Sequence, residues 1–141
     1  MAESNKLIIN VKDFSTSPGP RYVKQGLASG EAFYHEVLNA NFYKAYTEKL
    51  TLIVNLDGVD GYMSSFLDEA FGNLVYDFGI EIVKKVLSIV SSEEPEWIDM
   101  IESDTYVEWE KRRKKNENPT TTSPHSSWMR LVNNQIETIN S

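Results

Sequence analysis

A chain of 141 residues, 40% hydrophobic and 25% charged, has the size and ordinary composition of about one soluble domain with a single core. It has no cysteine, which excludes disulfides, thiol catalysis and cysteine-held zinc or iron–sulfur sites; two histidines are too few for a His-rich metal site. A formal net charge of −7 argues against a general nucleic-acid binder, because neutralising phosphates needs a basic surface.

No apolar run approaches the roughly 20 residues that a membrane span needs. The opening MAESNKLIIN lacks the charged-then-apolar order of a signal segment, and with the missing cysteines this gives the expectation of a cytoplasmic protein. KLIINVKDF (6–14) alternates Leu7, Ile9 and Val11 with Ile8, Asn10 and Lys12, the pattern of a strand with one better-buried face. Pro18-Gly19-Pro20 then imposes a tight connection, and RYVKQG is expected to return as a short strand, forming a hairpin. SGEAFYHEVLNANFYKAYTEK predicts helix, with Ser29 as N-cap and Glu31 in the first turn, interrupted at Asn39 and Asn41 before a second helical piece. LTLIVNLDG (50–58) is a nearly continuous apolar run, expected as a central strand covered on both faces.

In GYMSSFLDEAFGNL and its continuation, positions 67, 70, 71, 74, 75 and 78 are apolar, which predicts a helix over about 65–78 that stops at Gly79. Ser65 followed by Asp68 is a capping-box-like pair. IEIVKKVLSIVSS predicts a helical turn and then a strand through 86–90. SEEPEWIDMIESDTYVEWEKRRKK predicts a long helix with Pro95 in its first turn, acids first and the bases 111–115 last, an order that suits the helix dipole. Alternating strands and helices imply an α/β fold, a small mostly parallel or mixed sheet packed with helices. The expected organisation is a domain over 6–115, a polar linker over 116–127 (in NENPTTTSPHSS) and a short C-terminal helix or tail over 128–141.

In such sheets functional groups collect where strands end and helices begin, here between Leu56 and Phe66. Ser64 and Ser65 stand at that point. One reading makes Ser65 a cap. The other makes it a phosphorylation site, adding nearly two negative charges at free helix N–H groups, against repulsion from Asp68 and Glu69. Arg21 would pair with Asp57, Asp60, Asp68 or Glu69, or bind an anion. These acids serve as caps and solvated carboxylates, with an Mg²⁺ site as the alternative. The run 111–115 reads as a solvated helix end, or as a contact for nucleic acid or an acidic partner. His35 has no second His or Cys partner and is given no metal role; His125 falls in the linker. No phosphate-binding loop, dinucleotide fingerprint or nucleophile elbow occurs, and no base stands at motif spacing from the serines.

LTLIVNLDGVDGYMSSFLDEAFGNL resembles the core of a STAS domain (sulphate transporter and anti-sigma-factor antagonist). SPGPRY, SGEAF and above all SFLDEAFG at 65–72 resemble the STAS-like domain family of unknown function, over about residues 6–105. In STAS antagonists an Asp-Ser-Ser-Gly type motif opens the helix, and its second hydroxyl is phosphorylated by a histidine-kinase-like ATPase. The resemblance therefore implies a STAS-like fold and a non-catalytic, bacterial-type signalling module that needs no cofactor or metal. Its acceptor would be Ser65, with Ser64 the second candidate. Met63 stands where the motif has Asp, and Phe66 where it has Gly. A protein partner, such as a histidine-kinase-like ATPase, would meet Arg21, Asp57, Asp60, Tyr62, Met63, Phe66, Asp68 and Glu69. Two rival expectations are a small-ligand or Mg²⁺/phosphate enzyme built on Arg21 and the 57–69 region, and a structural homo-oligomer formed through 128–139.

Overall fold

A computed structural model describes residues 5–140; the first four residues of the opening segment and Ser141 lie outside it. Strands β1 (Lys6–Asn10), β2 (Thr51–Asn55) and β3 (Leu87–Val90) form a parallel sheet in the order β1-β2-β3. Pairing aligns Leu7, Leu52 and Leu87 in one row and Ile9, Val54 and Ile89 in another, both on the face that packs into the core. The opposite face carries Ile8, Ile53 and Ser88, then Asn10, Asn55 and Val90. Central β2 is thus fully covered on one face only: Leu52 and Val54 are buried, whereas Ile53 and Asn55 are half-buried and Ile8 beside them is 59% exposed. The expectation of two covered faces is corrected, because the helices pack on one side of the sheet.

β1 also ends sooner than its alternation implied. Residues 11–14 make a helical turn, α1 (Val11–Phe14), which turns buried Val11 and half-buried Phe14 inward together at i, i+3 spacing. Phe14 meets Phe33 edge-on at 5.3 Å and Phe66 at 6.5 Å. The expected return strand in RYVKQG is a 3₁₀ turn, Val23–Gln25. Its donors are spent locally: Gln25 N on Tyr22 O (2.9 Å), Tyr22 N on Gln25 Oε1 (3.1 Å) and Val23 N on Glu31 Oε1 (3.0 Å), leaving no ladder to form.

Ser29 caps the next helix, its hydroxyl accepting from Ala32 N at 3.0 Å. That helix does not break at Asn39. It runs through α2 (Gly30–Phe33), a π-helical turn (Tyr34–Leu38) and α3 (Asn39–Glu48), ending at left-handed Lys49 (φ 59°). Asn39 is buried in mid-helix because its amide bonds Met129 O (3.0 Å) and Tyr34 Oη (2.9 Å) and accepts from Met129 N (2.9 Å).

After β2 comes α4 (Ser64–Phe78), which buries 12 of its 15 residues and is therefore a central helix rather than a surface one. Gly79 (φ 85°) turns the chain into α5 (Ile80–Val86), which leads directly to β3. Pro95 then opens a continuous helix built of α6 (Glu96–Met100), a π-helical turn (Ile101–Thr105) and α7 (Tyr106–Lys114). The bases gather at its C-terminal end as the dipole favours; Arg113 pairs with Glu110 at 2.8 Å and Arg112 covers the Trp109 ring at 4.2 Å.

Residues 117–127 have no helix or strand, yet they are tied down, as described below. The expected short helix or tail after them is instead a β-hairpin, β4 (Trp128–Val132) and β5 (Gln135–Ile139). Asn133 and Asn134 both adopt positive φ (51° and 65°), the geometry of a two-residue hairpin turn that asparagine tolerates. The hairpin lies against its own chain and Trp128 is buried.

Candidate functional site

Where the strands end, three loops are laced together. Asp57 accepts from Ser92 N (3.1 Å) and Glu93 N (2.9 Å), and Glu93 Oε1 accepts from Gly58 N (2.9 Å). Asp60 takes the Ser17 hydroxyl at 2.5 Å, and Tyr62 Oη donates to Leu56 O at 2.6 Å. Tyr62 also packs on Phe66 and meets Trp97 edge-on at 6.2 Å; the Trp97 indole N–H is buried without a partner among the described residues. These bonds shape the loop 57–63 that feeds α4.

The N-cap of α4 is Met63, extended in backbone and making no side-chain cap bond. Ser64 and Ser65 are the first two helical residues, so the expected Ser65–Asp68 capping pair does not form. Asp68 is drawn elsewhere: it accepts from Arg21 Nη1 (2.7 Å), Thr105 Oγ1 (3.0 Å) and Trp109 Nε1 (3.2 Å), joining the Pro-rich loop to α4 and α7. Arg21 also reaches Glu69 Oε1 at 3.1 Å. Burial pushes the Glu69 carboxyl above its ordinary value, against the opposing bonds from Asn73 and Arg21.

Of the residues assigned above to a partner face, Met63 is 54% exposed, Ser64 and Asp60 are exposed, and Ser65, Tyr62, Asp57, Asp68 and Arg21 are half-buried. Phe66 and Glu69 are buried, so neither offers a side chain to a partner: Phe66 fills the core against Phe14 and Phe33. Arg21 is the bridge of a salt-bridge pair, Asp68–Arg21–Glu69. The four acids of the 57–69 region do not converge, and among the described residues no three His, Asp or Glu side chains lie where a metal ion would be held.

A second cluster is brought together only by the fold. α4 carries Glu69, Asn73 and Asp77 at four-residue spacing, a polar stripe that is buried rather than solvated. The segment from Asn118 onward covers it. Arg130 Nε bonds Asp77 Oδ1 at 2.7 Å and Tyr34 Oη donates to the same carboxylate. Beside this stripe, Glu31 accepts from Val23 N, Thr122 N (2.9 Å), Thr122 Oγ1 (2.6 Å) and His125 Nε2 (2.6 Å). His125 stacks on His35 with ring centroids 4.0 Å apart, which corrects the statement that His35 has no second histidine. Spacing alone does not reveal a pair 90 residues apart in sequence. The buried polar 69/73/77 stripe was the one available signal.

Burial raises the Asp77 carboxyl from 3.8 to about 6, despite Arg130 and the Tyr34 hydroxyl, which favour its charged form. The folded chain therefore binds a proton more tightly than the unfolded chain, and this contribution makes stability fall as pH rises between about 4 and 6. Thermal midpoints of the native chain and Asp77→Asn, measured across that window, are expected to differ increasingly in favour of the native chain on acidification. A pH-independent difference contradicts this.

Residues 29–97 match the family model of a STAS-like domain of unknown function, inside the span that carried the resemblance and without the C-terminal segment. No curated protein and no solved structure matches the chain. Among the described residues, no helix is long and apolar enough to cross a membrane.

Proposed function

From the match of residues 29–97 to a STAS-like domain of unknown function, we propose that the chain is a non-catalytic protein-interaction module that docks through the 57–63 loop and the first turn of α4. Phosphorylation of Ser65 or Ser64 by a histidine-kinase-like ATPase partner switches that docking. One observation carries the reading. Ser64 and Ser65 have hydroxyls with no hydrogen-bond partner among the described residues, next to exposed Met63, on a helix otherwise almost wholly buried.

Electrostatics support the same face. The backbone carbonyl of Met63 takes the N–H groups of Phe66 (3.0 Å) and Leu67 (3.5 Å), leaving those of Ser64 and Ser65 open to an anion. The carboxylates expected to repel a phosphate, Asp68 and Glu69, are both countered by Arg21. No cap has to be dismantled, since neither serine serves as one. A phosphate here would change the surface rather than the fold.

Phosphosite mapping of the chain captured from its native host is expected to find phosphate on Ser65 or Ser64, together with a kinase-like partner. The Asp substitution at the modified serine is expected to change partner affinity about tenfold relative to the Ala substitution. Phosphate absent from residues 61–66, or equal binding by the Asp and Ala variants, ends the switch.

A further inference from the structure

The polar stripe of α4 is roofed by the C-terminal segment but not filled. Over Asn73 lies a cavity of about 370 Å³ whose wall includes His35, Asn118, Trp128, Arg130 and Asn140. A second cavity, of about 310 Å³, also has Asn118 and Arg130 in its wall. Among the described residues neither lining contains an aspartate or glutamate, in a chain that has 21 of them. An anion entering here meets no carboxylate in the wall itself, the Asp77 carboxylate behind it being already paired with Arg130 at 2.7 Å.

The hydrogen-bonding capacity of the wall is largely unspent. Asp77 holds Arg130 by Nε and the Tyr76 ring lies 5.1 Å from the guanidinium carbon, which fixes the group while both Nη nitrogens keep no acceptor among the described residues. Asn73 donates its amide hydrogens to Glu69 O and Oε2 (2.8 and 2.9 Å), leaving its carbonyl. Asn118 spends its carbonyl on the Tyr76 hydroxyl (2.9 Å) and Asn140 spends its own on the Ser127 hydroxyl (2.6 Å), so both keep amide donors. His35 Nδ1 is buried with no partner among the described residues, and Trp128 meets the same imidazole edge-on at 4.5 Å.

A fixed guanidinium with two free nitrogens matches a carboxylate bidentately. An indole and an imidazole supply a wall for a planar ring. The volume is at the lower end for small-molecule sites. We infer that this cavity binds a small aromatic carboxylate, its carboxylate across the Nη pair of Arg130 and its ring against Trp128 and His35. Asn73 lies eight residues beyond Ser65 on α4, away from the turn that carries the serines, and the site does not depend on their modification.

The full chain is titrated with 4-hydroxybenzoate and nicotinate, following tryptophan fluorescence and thermal midpoint, with 4-hydroxybenzamide and nicotinamide as uncharged controls. At least one acid is expected to give a saturable fluorescence change and a raised midpoint, with its amide about tenfold weaker or more. Asn118→Asp keeps the acceptor for Tyr76 but adds a negative charge to the wall. It is expected to weaken the acid about tenfold without moving the midpoint of the free chain. Arg130→Gln is expected to abolish binding. Amides that bind as tightly as acids, or an Asn118→Asp chain that binds acids unchanged, overturn the carboxylate assignment. No saturation by any of the four up to about 10 mM overturns the site.

Discussion

Gly72→Ala is expected to cost about 3 kcal/mol of stability and to lower the thermal midpoint by on the order of 10 °C. A Cβ at position 72 would stand 2.1 Å from Trp109 Cε2 and 2.2 Å from its Nε1. The indole cannot readily yield. Its N–H donates to Asp68 at 3.2 Å, and Arg112 lies over the ring. Alanine's better helix propensity returns only about 1 kcal/mol. Gly30 makes a second close contact with α4, where a Cβ would fall 2.4 Å from the Phe66 carbonyl oxygen, a backbone atom with nowhere to go. These two glycines set how closely α2 and α7 approach the central helix. Urea unfolding of Gly72→Ala, Trp109→Leu and the double variant measures the effect. The double variant should lose less than the two single losses combined, because leucine vacates the space that the new methyl needs. A Gly72→Ala chain as stable as the native one would contradict the close contact.

Glu31→Ala is expected to cost about 3–5 kcal/mol, the range for removing one partner of a buried charged cluster. The carboxylate is buried and binds Val23 N, Thr122 N, Thr122 Oγ1 and His125 Nε2. Three of those four bonds hold the segment that precedes the hairpin, so the loss should concentrate there. Amide hydrogen exchange is expected to accelerate over 119–127 in Glu31→Ala, with β2 and α4 affected less. Unchanged exchange in that segment would show that it is held by something else. Burial pushes the Glu31 carboxyl up, but the bonds from Thr122, His125 and Val23 outweigh it and leave the group below its ordinary 4.5. Its stabilisation is therefore complete above that ordinary value and is lost as pH falls through the lowered folded one, the opposite sign to Asp77.

Features set by neighbours along the chain were legible in the sequence, and those set by distant residues were not. Ser29 as a cap, Gly79 as a helix stop, the order strand–helix–strand–helix–strand and the apolar face of α4 are local facts, each set by neighbours within one or two turns of chain. Those readings needed only propensity and period. RYVKQG and the 128–139 segment were misread for a related reason. Short segments take whichever conformation their tertiary donors and acceptors permit, and here Glu31 claimed the N–H of Val23 and Asn39 claimed both backbone groups of Met129.

By itself, then, the sequence determined the α/β architecture, the central helix that begins at the serines, and the STAS-like family match over 29–97. Only the tertiary structure decided what the polar residues do. Asp68 became a hub for Arg21, Thr105 and Trp109 instead of a capping partner, and neither Ser64 nor Ser65 caps the helix. Glu69, Asn73 and Asp77 became a buried stripe because residues from the far end of the chain cover them. Apolar periodicity is written along a single helix. A hydrogen bond or salt bridge between residues 37 to 94 positions apart exists only once the chain has folded around it.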